Sequence, residues 1–543
     1  MKSLIVTVLA TAIGLTLSFG SADVSASGEI VHDPEFVRME KEFGKQWKAD
    51  EEQVRKKLAA LEAKFGQKPN IVYIMADDVG YTELGSYGGG KLRGAPTPNL
   101  DKLAQQGLRL LNFYSEVECS PSRGAFMTGR HPIRNGVYNI TLPGQVGFGL
   151  HADEVTIAEI LSDAGYYTGH FGKWHLGGEE EHFPTSQGFD ESEWSEGNPP
   201  WWVNNKNAKP SDDIGGFTNR VLMESPGPDN FPYHTGGVMR GTKGNEPELV
   251  YEYSMEKYNT YDSEVADNVI DFIKRRATTK QPFFVNFWGK ANHFWGAHPD
   301  FRDTPAQTNT ASQMVEHDYN TGRIIKTLID LGIAENTLVI WSSDNGPMYT
   351  AHPHGGYSLL PGGKGETKEG GIHVPAIAWW PGMIEAGQDP LDIVQITDLF
   401  TTIASVADAK NGIPTDRVID GIDQTGLLLL GEGKGRRDYV FNYNRANLES
   451  VRKDQIKLNL KPTNPKFKFF EVYNLYHDPA ERFPNELENG FWAGPGMSKM
   501  IQEHMKQIQK YPHRKISGYY RDFDRSFDPE LSPVYKSKKQ VEW

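Results

Sequence analysis

The chain has 543 residues, 38% of them hydrophobic, and a formal net charge of -14. That length exceeds what one hydrophobic core fills, so a large domain with a smaller one attached is expected. The acidic balance excludes broad electrostatic capture of nucleic acid and leaves room only for a local cationic pocket that binds an anion.

Met1 and Lys2 precede an almost wholly apolar run from Leu4 to Phe19, and small residues follow as far as Val24-Ser25-Ala26. This is the pattern of a secretory signal peptide over residues 1–26, and it predicts an exported protein, periplasmic or secreted. The run is short for a bilayer span and no other segment matches one, so no stable membrane insertion is expected. Residues 27–68 are rich in charge, with Val54, Leu58, Leu61 and Phe65 at helical spacing. They predict an amphipathic N-terminal extension that packs on the surface.

A catalytic domain is expected over residues 69–435. Its first element is the apolar run Asn70-Ile71-Val72-Tyr73-Ile74-Met75-Ala76, bounded by Pro69 and by Asp77-Asp78, which predicts a buried central strand. A helix over 265–273 leads into a strand over 283–287. A second helix over 314–331 leads into a strand over 337–341, followed by Asp344-Asn345. Such alternation predicts an α/β domain with a large, mostly parallel central sheet flanked by helices. Ligands of these sheets bind beyond the carboxyl ends of the strands, where Asp77, Asp78, Asp344, Asn345 and His293 all fall.

Residues 191–257, rich in Gly, Pro, Asn and Trp, read as one long substrate-loop insert. Its Trp194, Trp201 and Trp202 either stack on a sugar or aryl ring or pin the insert to the core. After Gly435, short strands over 439–441, 455–458 and 470–473 and a helix over 500–509 predict a smaller antiparallel α+β subdomain spanning 436–543.

The only cysteine, Cys119, cannot form an internal disulfide. It opens the segment Cys119-Ser120-Pro121-Ser122-Arg123-Gly124-Ala125-Phe126-Met127-Thr128-Gly129-Arg130. This segment resembles the signature of the formylglycine-dependent sulfatases, an arylsulfatase-like family of the alkaline phosphatase superfamily. Further matching elements follow in order: Ala76-Asp77-Asp78-Val79-Gly80-Tyr81, Thr97-Pro98-Asn99-Leu100-Asp101, Phe171-Gly172-Lys173-Trp174-His175-Leu176-Gly177, Ser343-Asp344-Asn345-Gly346 and Gly363-Lys364-Gly365-Glu366-Thr367-Lys368-Glu369-Gly370-Gly371. Val472-Tyr473-Asn474-Leu475-Tyr476-His477-Asp478-Pro479 resembles the family's second subdomain. Only the N-terminal extension and the tryptophan-rich insert fall outside the resemblance.

The resemblance implies an alkaline phosphatase-like fold and a sulfuric ester hydrolase. In it a formylglycine-generating enzyme oxidises Cys119 to an aldehyde, whose hydrate is a geminal diol. One hydroxyl attacks sulfur and the other later expels sulfate from a sulfated enzyme. Asp77, Asp78, Asp344 and Asn345 offer only hard oxygen atoms, which suit Ca²⁺ or Mg²⁺ and not Zn²⁺. The resemblance selects one Ca²⁺ per chain, with residue 119 as a further ligand.

Pro121 and the run behind it place Cys119 at a helix start, so that backbone N–H groups face the sulfate. Arg123, one turn along, is expected to hold the diol or the metal-bound carboxylates. Lys173 and His175 alternate and share a face if extended. The resemblance makes Lys173 a sulfate clamp and His175 the base that collapses the sulfated intermediate. It also makes His293 and Lys364 contact sulfate and help protonate the leaving oxygen.

Two departures from the family pattern accompany it, one around His293 and one at His373. Asn292 stands where a proline is usual, Phe294-Trp295 follows His293, and His298 is the alternative to His293. His373 stands where the family often has arginine, in a structural or a substrate-facing role. His352 and His354 either contact substrate or sit in a solvated loop. The expected substrate is a small aryl sulfate or a sulfated oligosaccharide, and oligomeric state is not legible.

Two other functions compete. A phosphodiester or phosphonate monoester hydrolase on the same fold would be expected to carry a second metal with additional His and Asp ligands. A non-catalytic binder of sulfated glycans would not require a convertible cysteine.

Overall fold

The structure is a computed structural model that describes residues 28–141, 145–197, 237–252, 255–293, 296–349, 355–461, 470–484, 487–512, 514 and 519–520. The expected signal peptide, Trp201, Trp202, Phe294, Trp295, His352 and His354 lie outside the described residues. Among the described residues no helix is long and apolar enough to cross a membrane.

The expected N-terminal extension is helix α1 (Pro34–Phe65), which begins well before the periodic residues that announced it. Asp33 caps it by accepting the Glu35 N–H at 3.0 Å, and Gly66 closes it in a left-handed conformation at φ 70°. Its stripe is buried, not merely laid on a surface. Phe36, Met39 and Trp47 join the apolar cluster of the C-terminal sheet, while Val54 and Leu61 join that of the main sheet.

The main sheet is built from β1 (Asn70–Ala76), β2 (Leu108–Arg109), β5 (Tyr167–Lys173), β6 (Glu191–Ser195), β7 (Gly237–Thr242), β8 (Glu248–Glu252), β9 (Phe283–Trp288), β10 (Thr337–Ser343) and β11 (Ala376–Trp379). The short strands β3 (Asn112–Tyr114) and β4 (Gln145–Val146) lie outside it. Its nine strands run in the order β2-β11-β10-β1-β9-β5-β6-β7-β8.

The central run from β10 to β6 is parallel, as the alternation of helices and strands predicts. Both edges are antiparallel. β1 is buried on both faces, the condition of a central parallel strand. Ile71, Tyr73 and Met75 face a cluster shared with α3 (Cys119–Thr128) and the helix Ile157–Asp163. Val72, Ile74 and Ala76 face one shared with α2 (Pro98–Gln106) and the helices Met255–Ala277 and Asn309–Asp330.

The reading of residues 191–257 as one loop needs correction. Its first residues form β6, parallel to β5, and its last form β7, β8 and the start of the helix Met255–Ala277. Trp194 lies within β6, 2% exposed, with its ring 5.4 Å from that of Phe183. It is a core residue that pins β6 and not a platform for a ligand.

After β12 (Ile393–Gln395), which pairs with β3, the chain forms a four-stranded antiparallel sheet of β13 (Tyr439–Asn444), β14 (Asn447–Lys453), β15 (Ile456–Asn459) and β16 (Glu471–Asn474). β14 was not anticipated, because its Glu449, Arg452 and Lys453 hide the strand pattern. The helix Leu487–Lys510 follows, longer than its periodic core suggested.

Candidate active site

The sequence-predicted residues converge at the carboxyl edge of the parallel strands. β1 and β10 run in register, with Ala76 opposite Ser343, so the residues after each strand meet. The Asp344 N–H donates to the Ala76 carbonyl at 3.1 Å, and the Asp78 N–H donates to Asp344 Oδ1 at 3.1 Å. Lys173 is the last residue of β5, and His175 follows it after Trp174. The turn after β9 carries His293, and its Ala291 carbonyl accepts the Asp77 N–H at 3.1 Å.

Asp78, His175 and Asn292 adopt left-handed φ angles of 59°, 61° and 67°. Each costs on the order of 1–3 kcal/mol and persists because the surrounding structure holds it. Such strain clusters where chemistry needs side chains aimed at one point.

Cys119 is the first residue of α3, and all ten residues of that helix are buried. Its Sγ lies 3.2 Å from Asp77 Oδ1 and 3.8 Å from Asp78 Oδ1. Lys364 Nζ reaches the same sulfur at 2.9 Å and also donates to Asp78 Oδ1 at 2.8 Å. Lys173 Nζ donates to Asp77 Oδ2 at 2.6 Å. Arg123 donates to Asp344 Oδ2 and to the Lys173 carbonyl, each at 2.8 Å, with its guanidinium 4.9 Å from the Trp288 ring.

Ligand atoms of Asp77, Asp78, Cys119 and Asp344 all lie within 4.8 Å of one another. Asn345 donates through Nδ2 to Asp78 Oδ1 at 2.7 Å, yet its buried Oδ1 has no hydrogen-bond partner among the described residues. A buried carbonyl oxygen left without a donor, beside three carboxylates, is what a hard cation would satisfy. The residues present therefore fit Ca²⁺.

The electrostatics follow from burial and crowding. Burial pushes the Asp344 carboxyl up to about 6, helped by Asp77 and opposed by Arg123. Burial also raises Asp77, but Lys173, His293, Arg123 and Lys364 outweigh it and hold that carboxyl well below the usual range. Burial and the Asp344 and Asp77 charges push the Cys119 thiol well up, so the unmodified side chain is a poor nucleophile. Burial, with Lys173 and Arg123, holds His175 neutral, the form in which an imidazole accepts a proton. Burial likewise lowers His293, with Asp77 opposing.

His298 is placed elsewhere: its Nδ1 accepts the Asp300 N–H at 3.2 Å and its ring sits 5.5 Å from Phe301. His373 contacts Glu369 Oε2 at 3.0 Å and the Leu111 carbonyl at 2.7 Å, and its ring stacks on Tyr114. Both of its ring nitrogens are occupied by the protein, which makes its role structural. Two supports of His175 gave no sequence signal. The Thr141 hydroxyl donates to its carbonyl at 2.9 Å, and the Glu196 carbonyl accepts its N–H at 2.6 Å.

A family model described as Sulfatase matches residues 69–409. The N-acetylgalactosamine-6-sulfatase of Rattus norvegicus is 33% identical over 503 residues, covering 83% of this chain and 88% of that protein. Arylsulfatase A of Homo sapiens is 36% identical over 386 residues, covering 69% and 70%. Among solved structures, the PsFucS1 sulfatase from Pseudoalteromonas sp. superposes with a TM-score of 0.79 at 33% identity, covering 86% of this chain and 96% of that one.

Proposed function

Since the chain belongs to the sulfatase family and hydrolyses sulfate esters, we propose that it does so through formylglycine at position 119, with one Ca²⁺ held by Asp77, Asp78, Asp344 and Asn345. The observation that carries this reading is the convergence of the buried Cys119 on three carboxylates and Lys364. When bound, Ca²⁺ supplies positive charge that polarises the ester's sulfate and favours ionisation of the attacking hydroxyl.

The protein groups divide the remaining work. Arg123 keeps Asp344 ionised and aimed. Lys173 and Lys364 bind sulfate oxygens, being the ammonium groups at the cluster among the described residues. His293 hands a proton to the departing alcohol oxygen; the negative charge of the arriving ester counters the burial that otherwise keeps this imidazole neutral. The first hydroxyl of the diol gives its proton to a neighbouring carboxylate and becomes bonded to sulfur as the S–O bond to the alcohol breaks. His175 then takes the proton of the second hydroxyl, and the C–O bond to sulfate breaks as the aldehyde reforms.

The same proposal covers substrate and location. One matched relative is named for N-acetylgalactosamine 6-sulfate chemistry, and this supports a sulfated saccharide as substrate. The apolar N-terminal run supports export to the periplasm or medium, with oxidation of Cys119 by a maturation enzyme. The division into 69–435 and 436–543 is proposed on the switch from the mixed sheet to the antiparallel one.

The experiment is peptide mass spectrometry across Cys119 combined with sulfate release from a panel of sulfated monosaccharides and aryl sulfates. A peptide lighter than the thiol form, in a preparation that releases sulfate, supports the reading. Full activity from a preparation carrying only the unmodified thiol refutes it.

A further inference from the structure

We infer that Lys457, on β15 of the C-terminal sheet, is a positioning residue for the reaction, acting through Lys364. Lys457 is 1% exposed, and no sequence motif points to it. Its Nζ donates to the Thr367 carbonyl at 2.8 Å and to Glu369 Oε1 at 2.9 Å, and lies 3.0 Å from Glu481 Oε1. These contacts use all three donors of an ammonium group. Burial opposes its charge, but Glu369 and Glu481 outweigh burial and keep it protonated.

The partners of Lys457 lie on the segment that carries Lys364. Residues 362–369 form a loop that closes on the short helix Glu369–Ile372. A Cβ on Gly370 would sit 2.2 Å from the Gly362 carbonyl oxygen, and one on Gly371 would sit 2.4 Å from that of Gly363. Loop and helix therefore move as one body. On its inner side this body is tied to the reaction centre: the Lys364 N–H donates to the Pro347 carbonyl at 3.0 Å and the Gly365 N–H to that of Val117 at 2.7 Å.

On its outer side the body is tied to the C-terminal sheet and its neighbour Glu481. Asn444 Nδ2 donates to the Gly365 carbonyl at 3.0 Å, Ser450 Oγ to that of Thr367 at 3.3 Å, and the Glu369 N–H to Glu481 Oε2 at 2.8 Å. Lys457 is the only charged donor in this set and touches the loop and the helix at once. Without it, Glu481 loses its cationic partner and Glu369 keeps only Tyr114, His373 and the charge of Arg452, so the two carboxylates repel and the outer half of the loop loses its strongest tie. A side chain aimed at a sulfate oxygen tolerates little displacement, since ~1 Å of misplacement can cost on the order of 100-fold in rate.

The inference rests on the placement of Lys364 at the sulfate, so the test treats the two residues together. Lys457→Met, Lys364→Ala and the double variant are assayed for kcat/KM on an aryl sulfate, alongside amide hydrogen exchange over 362–369 and over β1. The expected result is a loss of ~10-fold or more in Lys457→Met, with exchange accelerated over 362–369 and unchanged over β1. In the Lys364→Ala background the same substitution costs less than about two-fold, because its route to the reaction has gone.

Equal fold-losses in both backgrounds, or accelerated exchange over β1 as well, mean a purely structural lysine and overturn the inference. Full activity of Lys364→Ala alone would instead refute the role proposed for Lys364, and the two failures are told apart by that single variant. Should Lys457→Met not fold, Asn444→Ala removes one outer tie at a less buried position. A several-fold loss confined to the Lys364 background supports the inference, and none at all overturns it.

Discussion

Removing the Arg123 guanidinium offers the sharpest test of how the carboxylate cluster is kept ionised. Arg123 and Asp344 are both fully buried and 2.8 Å apart, with Asp77 Oδ2 at 4.0 Å from the same guanidinium. In Arg123→Leu a similar volume stays apolar while Asp344 loses its charged partner, and breaking a buried pair in this way costs about 3–5 kcal/mol. Asp344 already lies at about 6 with the arginine in place, held up by burial and by Asp77. Without the arginine it moves higher and takes up a proton at neutral pH, which limits the penalty but removes a proposed metal ligand. A melting temperature lowered by at most roughly 3–5 °C is expected, together with a weaker stabilisation by added calcium. Calcium stabilisation should recover in part at pH 9, where the carboxyl ionises again. Thermal unfolding with calcium titration at pH 7 and pH 9 reads both effects. An unchanged melting temperature with wild-type calcium stabilisation at pH 7 would show that Arg123 does not hold Asp344, and the argument would fail.

Cys119→Ser should fold and accept one sulfate from an aryl sulfate as a stable adduct visible by intact-protein mass spectrometry, because serine lacks the second hydroxyl that expels sulfate; sustained turnover would contradict this. His293→Ala should slow alkyl sulfates at least ~10-fold more than aryl sulfates with good leaving groups, and an equal loss on both would leave His293 a binding residue. Glu196 is buried beside His175, and burial pushes its carboxyl from 4.5 up to about 8. The folded state therefore keeps a proton that the unfolded state releases, and stability falls as pH rises between about 4.5 and about 8. Glu196→Gln should flatten that decline in thermal melts across pH 5–8, whereas an unaltered slope would place its origin elsewhere.

The sequence revealed what lies at strand ends and concealed what lies between sheets. Asp77-Asp78 and Asp344-Asn345 each close an apolar run, so the parallel register that joins Ala76 to Ser343 brings them together without further information. Cys119, Lys173 and Lys364 were legible because short motifs surround them. β7 was hidden by its glycines and by the tryptophan-rich stretch before it, and its membership of the sheet depends on pairing with β6, a contact that leaves no local pattern. Nothing in the sequence around Lys457 and Glu481 singles them out. Their burial arises only when the C-terminal sheet docks against the Lys364 loop, and one-dimensional periodicity carries no trace of a docking surface.

The complete burial of Cys119 sets an order of events in the life of the chain. Its side chain is 0% exposed, on a helix whose every residue is enclosed by the main sheet and its neighbours. If Cys119 is oxidised as proposed, the oxidising enzyme has to reach a side chain that the folded protein encloses on every side. On the proposed mechanism the nucleophile must therefore be made before the fold that hides it. Under the same proposal, molecules that fold first would keep an unreachable thiol, so the specific activity of a preparation would record a race between maturation and folding.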